Sequence, residues 1–95
     1  MYIRTTRFQA KQSSLPKFQE MAEAAKGTAA TLDGLQQSYL AIDDAGKGVM
    51  VAIWESKEKA AAGLSSVMAS WAGAMEHMEG QPQMDEYSTV VQVKG

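Results

Sequence analysis

The chain has 95 residues, 45% of them apolar, no cysteine, a formal net charge of −2 at pH 7 and a sequence pI of about 5.3. That is one domain near the small end of what folds unaided, and the lack of cysteine excludes disulfides and thiolate metal sites. No run of Lys or Arg marks a nucleic-acid face, no apolar stretch nears the roughly 20 residues that span a bilayer, and Met1-Tyr2-Ile3-Arg4-Thr5 lacks the layout of a secretion leader. The expectation is a soluble cytoplasmic protein with a single domain over residues 1–95.

Residues 2–9 (Tyr-Ile-Arg-Thr-Thr-Arg-Phe-Gln) are rich in β-branched and aromatic types with no breaker, and predict a first strand. Ser13, Ser14 and Pro16 open a helix, through a serine cap and a proline in the first turn. Leu15, Phe18, Ala22, Ala25, Ala29 and Leu32 keep one helical face without a phase break at Gly27, so the helix runs to about Ala30 and Asp33-Gly34 ends it. Leu35–Ile42 predicts a second strand, Asp43 to Gly48 a turn, and Val49–Trp54 a third strand, together an antiparallel hairpin. Ser56 caps a second helix, with Glu58 in its first turn. This helix extends to about Glu79, with a break near 63–66 where Ser65 or Ser66 could cap a new segment. Leu64, Met68, Trp71, Met75 and Met78 form its stripe, and Gly80 and Pro82 stop it. Tyr87–Val93 predicts a fourth strand.

Strand–helix–strand–strand–helix–strand is the order of the ferredoxin-like split unit, an α+β fold with a four-stranded antiparallel sheet. Two helices cover one face of such a sheet. The third strand is apolar at both parities: Val49, Val51 and Ile53 against Met50, Ala52 and Trp54. A strand of that kind is buried on both sides. A second copy packed sheet on sheet is the commonest cover, so a homodimer is expected.

Three local features carry a resemblance over nearly the whole chain. They are Leu32-Asp33-Gly34-Leu35 leading into Gln37-Ser38-Tyr39-Leu40; Val51-Ala52-Ile53-Trp54-Glu55-Ser56-Lys57-Glu58 between third strand and second helix; and Ser14-Leu15-Pro16-Lys17-Phe18 after the first strand. In these the chain resembles the antibiotic biosynthesis monooxygenase-like proteins of the dimeric α+β barrel superfamily. The resemblance implies a dimeric α+β barrel with pockets between helices and sheet. Its members include cofactor-free oxygenases of polycyclic quinols, haem-degrading enzymes and isomerases. The haem-degrading pattern needs an Asn on the first strand, a Trp early in the second helix and a His ten residues later. Aligned on Trp54-Glu55-Ser56-Lys57, those positions hold Arg7 as nearest candidate, Gly63 and Gly73, so haem degradation is disfavoured.

His77, the single histidine, falls about 140° from the centre of the second helix's stripe and is expected to face solvent; one histidine cannot build a multi-histidine metal site. Asp43-Asp44, beside Gly46 and Gly48, has turn composition rather than that of a metal site. Gly46-Lys47-Gly48 is too short for a phosphate loop. Glu55, Glu58, Glu76 and Glu79 are solvated helix charges, and no nucleophile–base pair is legible. Trp71 between Met68 and Met75 is either ordinary core or the apolar wall of a pocket for a flat organic ligand. Arg4 and Arg7 have opposite parity, so one alone faces the helices. The expected ligand contacts are Met68, Trp71 and Met75 as walls, with Arg7 and Tyr39 as polar groups. The expected activity is cofactor-independent monooxygenation of a small aromatic or quinone-type molecule, with no metal or cofactor. The alternatives are a non-catalytic small-molecule-binding dimer, and a domain whose pocket its own side chains fill.

Overall fold

In the computed structural model, which describes residues 1–95, the elements are β1 (Tyr2–Gln9), α1 (Leu15–Ala29), β2 (Leu35–Ile42), β3 (Lys47–Trp54), α2 (Lys57–Ala62), α3 (Leu64–Ala74) and β4 (Gln83–Tyr87). The strands make one antiparallel sheet in the order β2-β3-β1-β4. This is the expected ferredoxin-like α+β fold. No helix is long and apolar enough to cross a membrane.

Parity on the central strand sets the two faces. Tyr2, Arg4, Thr6 and Phe8 are buried under the helices, opposite Trp54, Ala52, Met50 and Gly48 of β3. Ile3, Thr5 and Arg7 lie on the uncovered face beside Ile53, Val51 and Val49. A break in register between Leu35 and Gln37 keeps Leu35, Ser38, Leu40 and Ile42 of β2 on the helix side.

β1 and β2 have the expected bounds. β3 begins at Lys47 rather than Val49, because Asp43 Oδ1 accepts from the backbone N–H groups of Ala45 and Lys47, both at 2.9 Å, and Gly46 takes φ +89°. That closes the hairpin in fewer residues and gives Asp43 a turn role. β4 differs more: it runs Gln83–Tyr87, not Tyr87–Val93. After α3, Met78 bridges Ala10, and Glu79 N–H donates to the Gln9 carbonyl at 2.8 Å. The chain is thereby laid beside β1 early, and Tyr87 is already opposite Ile3. β1 has almost no residues left to pair with Thr89–Val93, which form no regular structure.

The second helix is two helices. Ser56 caps α2 by accepting from Lys59 N–H at 3.1 Å. The break falls at Gly63, and neither Ser65 nor Ser66 caps α3. A Cβ on Gly63 would stand 2.5 Å from Cη2 of Trp54, so the backbone can approach the sheet only with glycine there. The buried stripe also differs from the expected one. Ala60, Trp71, Ala74 and Met78 are buried with Val67 packed against them, whereas Leu64 and Met68 face outward. After Ala74 the chain tightens into a single 3-10 turn, Met75–His77. His77 is therefore half-buried rather than solvent-facing, with Nδ1 3.1 Å from Ser14 Oγ. Ser14, expected as a cap, makes no capping bond to α1.

Two clusters form the core. Phe8 stacks on Phe18 with ring centroids 5.1 Å apart and meets Trp71 at 5.3 Å and 60°; Ala10, Ala74 and Met78 complete that group. Tyr2, Trp54 and Ala60 form the second, and Val67 touches both. Gly63→Ala should cost about 1–3 kcal/mol in urea unfolding, through overpacking against Trp54. Gly27→Ala, whose new Cβ meets nothing within 4 Å, should instead add up to about 1 kcal/mol as a mid-helix replacement. Equal effects at the two positions would contradict the close approach at Gly63.

Candidate functional site

α1 and α3 lie over the β2–β3 half of the sheet, and between them and the sheet is a slot with two lobes. The first has a volume of about 100 Å³. Its floor is Leu35, Ser38, Met50, Ala52 and Trp54, and its walls are Ala25, Thr28, Ala29 and Leu32 on one side and Ser66, Val67, Ser70 and Trp71 on the other. The second, of about 80 Å³, lies between Phe18, Met21, Ala22 and Ala25 of α1 and Ser70, Trp71 and Ala74 of α3, over Leu40 and Met50. The residues that fold the protein also shape these walls. The inward face of α1 is nearly all alanine beyond Met21, and short side chains on two facing helices leave space between them.

The lining is aliphatic, aromatic and thioether, with the hydroxyls of Thr28, Ser38, Ser66 and Ser70 on otherwise exposed residues at its rim. No lining side chain is ionisable. Such a surface desolvates a flat organic molecule and offers hydrogen bonds to its edge. It has neither an acid–base group nor a metal ligand of its own. The slot is not filled by the protein's own side chains.

Behind the first lobe lies a charged cluster. Arg4 is 3% exposed. Its Nε donates to Glu86 Oε1 at 3.0 Å and its Nη2 to the Ala60 carbonyl at 3.1 Å, and its Cζ lies 5.8 Å from the centre of the Trp54 ring. Arg4 Nη1 and Trp54 Nε1 are buried donors with no acceptor in the fold. Buried donors are almost always paired, so an acceptor oxygen, from water or from a molecule in the slot, suits this place.

Of the expected contacts, Trp71 lines both lobes. Met75 packs against the Phe8 cluster at the helix end. Met68 is 51% exposed on the outer side of α3. Arg7 and Tyr39 lie on the uncovered face: Arg7 pairs with Asp85 at 3.3 Å, and the Tyr39 hydroxyl donates to Gln37 Oε1 at 3.3 Å. The slot thus brings Trp71 together with Trp54, Met50 and Ala25, which sequence reasoning did not single out. One signal was available: Phe8 and Tyr2 share Arg4's parity on β1, and two aromatics at one parity mark the core face.

No protein-family model matches the chain, and no curated protein matches its sequence. Among solved structures, a Deinococcus radiodurans protein provisionally named an antibiotic biosynthesis monooxygenase superimposes with TM-score 0.83 at 12% identity, over 100% of both chains. A variant of SnoaB, a cofactor-independent oxygenase from Streptomyces nogalater, gives TM-score 0.78 at 10% identity, covering 99% of this chain and 97% of that one. A variant of MhuD, with two manganese protoporphyrin IX molecules per active site, gives 0.78 at 17% identity over 100% of both. The fold is that of the antibiotic biosynthesis monooxygenase-like proteins, as the sequence resemblance implied.

Tyr2 belongs to the cluster behind the slot. Its phenol pKa is raised above the ordinary value, first by burial and then by the Glu86 carboxylate beside it. Folding favours the neutral phenol, so its contribution to stability is complete below the usual pKa of about 10 and is lost as pH rises through the higher folded value. Glu86→Gln should move Tyr2 ionisation to lower pH, followed by tyrosinate absorbance against a Tyr2→Phe reference. An unmoved titration would contradict the pairing.

Proposed function

We propose that the slot binds a small, flat, uncharged aromatic molecule, and that the chain is a cofactor-independent monooxygenase of a quinol-type substrate. The observation that carries the reading is the slot itself, an apolar cleft with two tryptophans and a hydroxyl rim, in the fold of an oxygenase named as cofactor-independent.

A quinol can supply the electrons itself. One ring C–H becomes C–OH with one atom of O2, the two phenolic hydrogens leave with the other atom as water, and a hydroxyquinone remains. The chain's part is binding, exclusion of water and orientation by rim hydroxyls. Arg7, Tyr39, Met68 and Met75, expected as ligand contacts, enter this reading only if the partner protomer or a larger opening brings them to the ligand. The uncharged lining favours a second reading, a binder without catalysis, because no side chain in the slot can take the substrate's proton.

Oxygen uptake with hydroquinones, together with tryptophan fluorescence for binding, separates the two readings. Uptake that is lost in Ala25→Leu, which fills the waist of the slot, supports the oxygenase. Binding that Ala25→Leu blocks, without uptake, leaves the binder.

We also propose that residues 1–95 are one domain that works as a homodimer through the uncovered face. Val49, Val51 and Ile53 of β3 lie there next to Ile3, Tyr39 and Ala41 with no helix above them. Val90 and Gln92 of the C-terminal segment share a surface hollow with Ile3, Gln37 and Ile53 at one end of that face. Sedimentation should show a dimer at micromolar concentration that Val51→Asp dissociates. A monomeric wild-type protein under those conditions would refute the dimer.

A further inference from the structure

Met50 rises from the middle of β3, on the helix side of the sheet, between Thr6 of β1 and Leu40 of β2. The two lobes of the slot meet over it: Ala25, Met50, Ser70 and Trp71 are the residues they share. Three of these come from the walls, and Met50 alone comes from the floor. Its sulfur accepts from the Ser38 hydroxyl at 3.5 Å, which holds the side chain toward the first lobe.

The two lobes differ in chemistry. The first carries Thr28, Ser38 and Ser66 and ends on Trp54, whose Nε1 has no acceptor. The second, beyond Met50, adds only Phe18, Met21, Ala22, Leu40 and Ala74. At about 100 and 80 Å³, each is smaller than the roughly 150 Å³ apolar cavity that holds a benzene ring. One ring, seated with an edge in the open mouth, is the most that either lobe accepts. A fused three-ring system has to pass through the space Met50 occupies.

We propose that Met50 is a specificity-determining residue that partitions the slot, so that the molecule taken is an uncharged single-ring compound with an oxygen on one edge, seated in the lobe that carries Thr28, Ser38 and Ser66. This rests on the slot being the binding site, as proposed above. Methionine is suited to the role because its unbranched side chain fills an irregular gap. Substitution by a shorter residue should convert two one-ring lobes into one longer slot.

The test uses p-cresol as the one-ring probe and anthrone as the three-ring probe, with calorimetry and tryptophan fluorescence on the full chain. Met50→Ala should raise anthrone affinity by about tenfold or more while p-cresol affinity stays within about threefold, a range ordinary for steric discrimination in apolar pockets. Met50→Leu, which keeps the volume, should retain wild-type selectivity. Met50→Val carries the test if the alanine variant does not fold, because a β-branched residue suits a strand. Anthrone affinity unchanged on shortening Met50, or wild-type protein binding anthrone as tightly as the shortened variants, overturns the partition and leaves the slot standing. Failure of both probes to bind any variant overturns the slot reading itself, and the partition with it.

Discussion

Trp54 is the side chain on which the other elements depend. It is the one large residue that is fully buried, and three separate segments are shaped around it. Its ring leaves no room for a Cβ at Gly63, which bends the second helix at that residue. It lies next to the Arg4 guanidinium, which in turn holds the Ala60 carbonyl at the end of α2 and Glu86 on β4. A buried charge is tolerable only when its donors are matched, and Arg4 meets that condition at Nε and Nη2 but not at Nη1. The same ring closes one end of the slot. A single strand-end tryptophan therefore fixes where the helix breaks, how β4 is tied down and how long the cleft is.

The fold was legible because it is written in short-range pattern. β-branched runs, a turn built on Asp43 and Gly46, and a proline-opened helix each report local backbone preference, and the elements they predict are present. The errors fall where a residue's fate depends on a distant neighbour. Thr89–Val93 has the composition of a strand, but strand propensity is a fit to neighbours rather than a property of the backbone. Within this chain the edge of β1 is already used by Gln83–Tyr87. The stripe through Leu64 and Met68 kept helical spacing, yet Ala60, Gly63, Val67, Trp71, Ala74 and Met78 keep it equally well, and it is this second set that faces the sheet. Core positions on α2 and α3 then go to Ala60 and Ala74, where the helices approach the sheet closely, and the larger Leu64 and Met68 are left outside. Size alone was the wrong guide to burial there.

The site was less legible than the fold for a related reason. Trp71 could be named from its place in a helix, but the slot is a space between two helices and a sheet, made by what is small. Ala22, Ala25 and Ala29 read as ordinary helix formers, and nothing in their identity says that a cleft stands over them. Arg7 and Tyr39 attracted notice as polar groups on strands, yet both are on the face away from the helices. The parity that places them there is set by Phe8 and Tyr2. On a sheet of this kind, the aromatic members of a strand report the covered face more reliably than its charged ones, because a charged side chain can be paired on either face whereas a large aromatic ring gains most where water is excluded.

The uncharged lining has a chemical consequence that the fold likeness by itself does not supply. A quinol reacts with oxygen fastest as its anion, so some group has to accept a proton. Three titratable side chains, Arg4, Glu86 and Tyr2, lie behind the Trp54 ring at one end of the first lobe. Glu86 is half-exposed and held by Arg4, so it is an ion-paired carboxylate at the protein surface rather than a base aimed into the slot. Tyr2 is held in its neutral form by burial and by that same carboxylate. Neither can take a proton from a ring seated against Trp71. If the chain oxygenates its ligand, the proton must leave through water at the hydroxyl rim of Thr28, Ser38, Ser66 and Ser70. Those hydroxyls can relay a proton, but they give no driving force for its removal. Catalysis would then depend on the acidity of the ligand itself. The more acidic the phenol, the larger the fraction that arrives as the anion, and the greater the cost of desolvating that charge in an apolar slot. These two demands oppose each other, and a substrate of intermediate acidity satisfies both best.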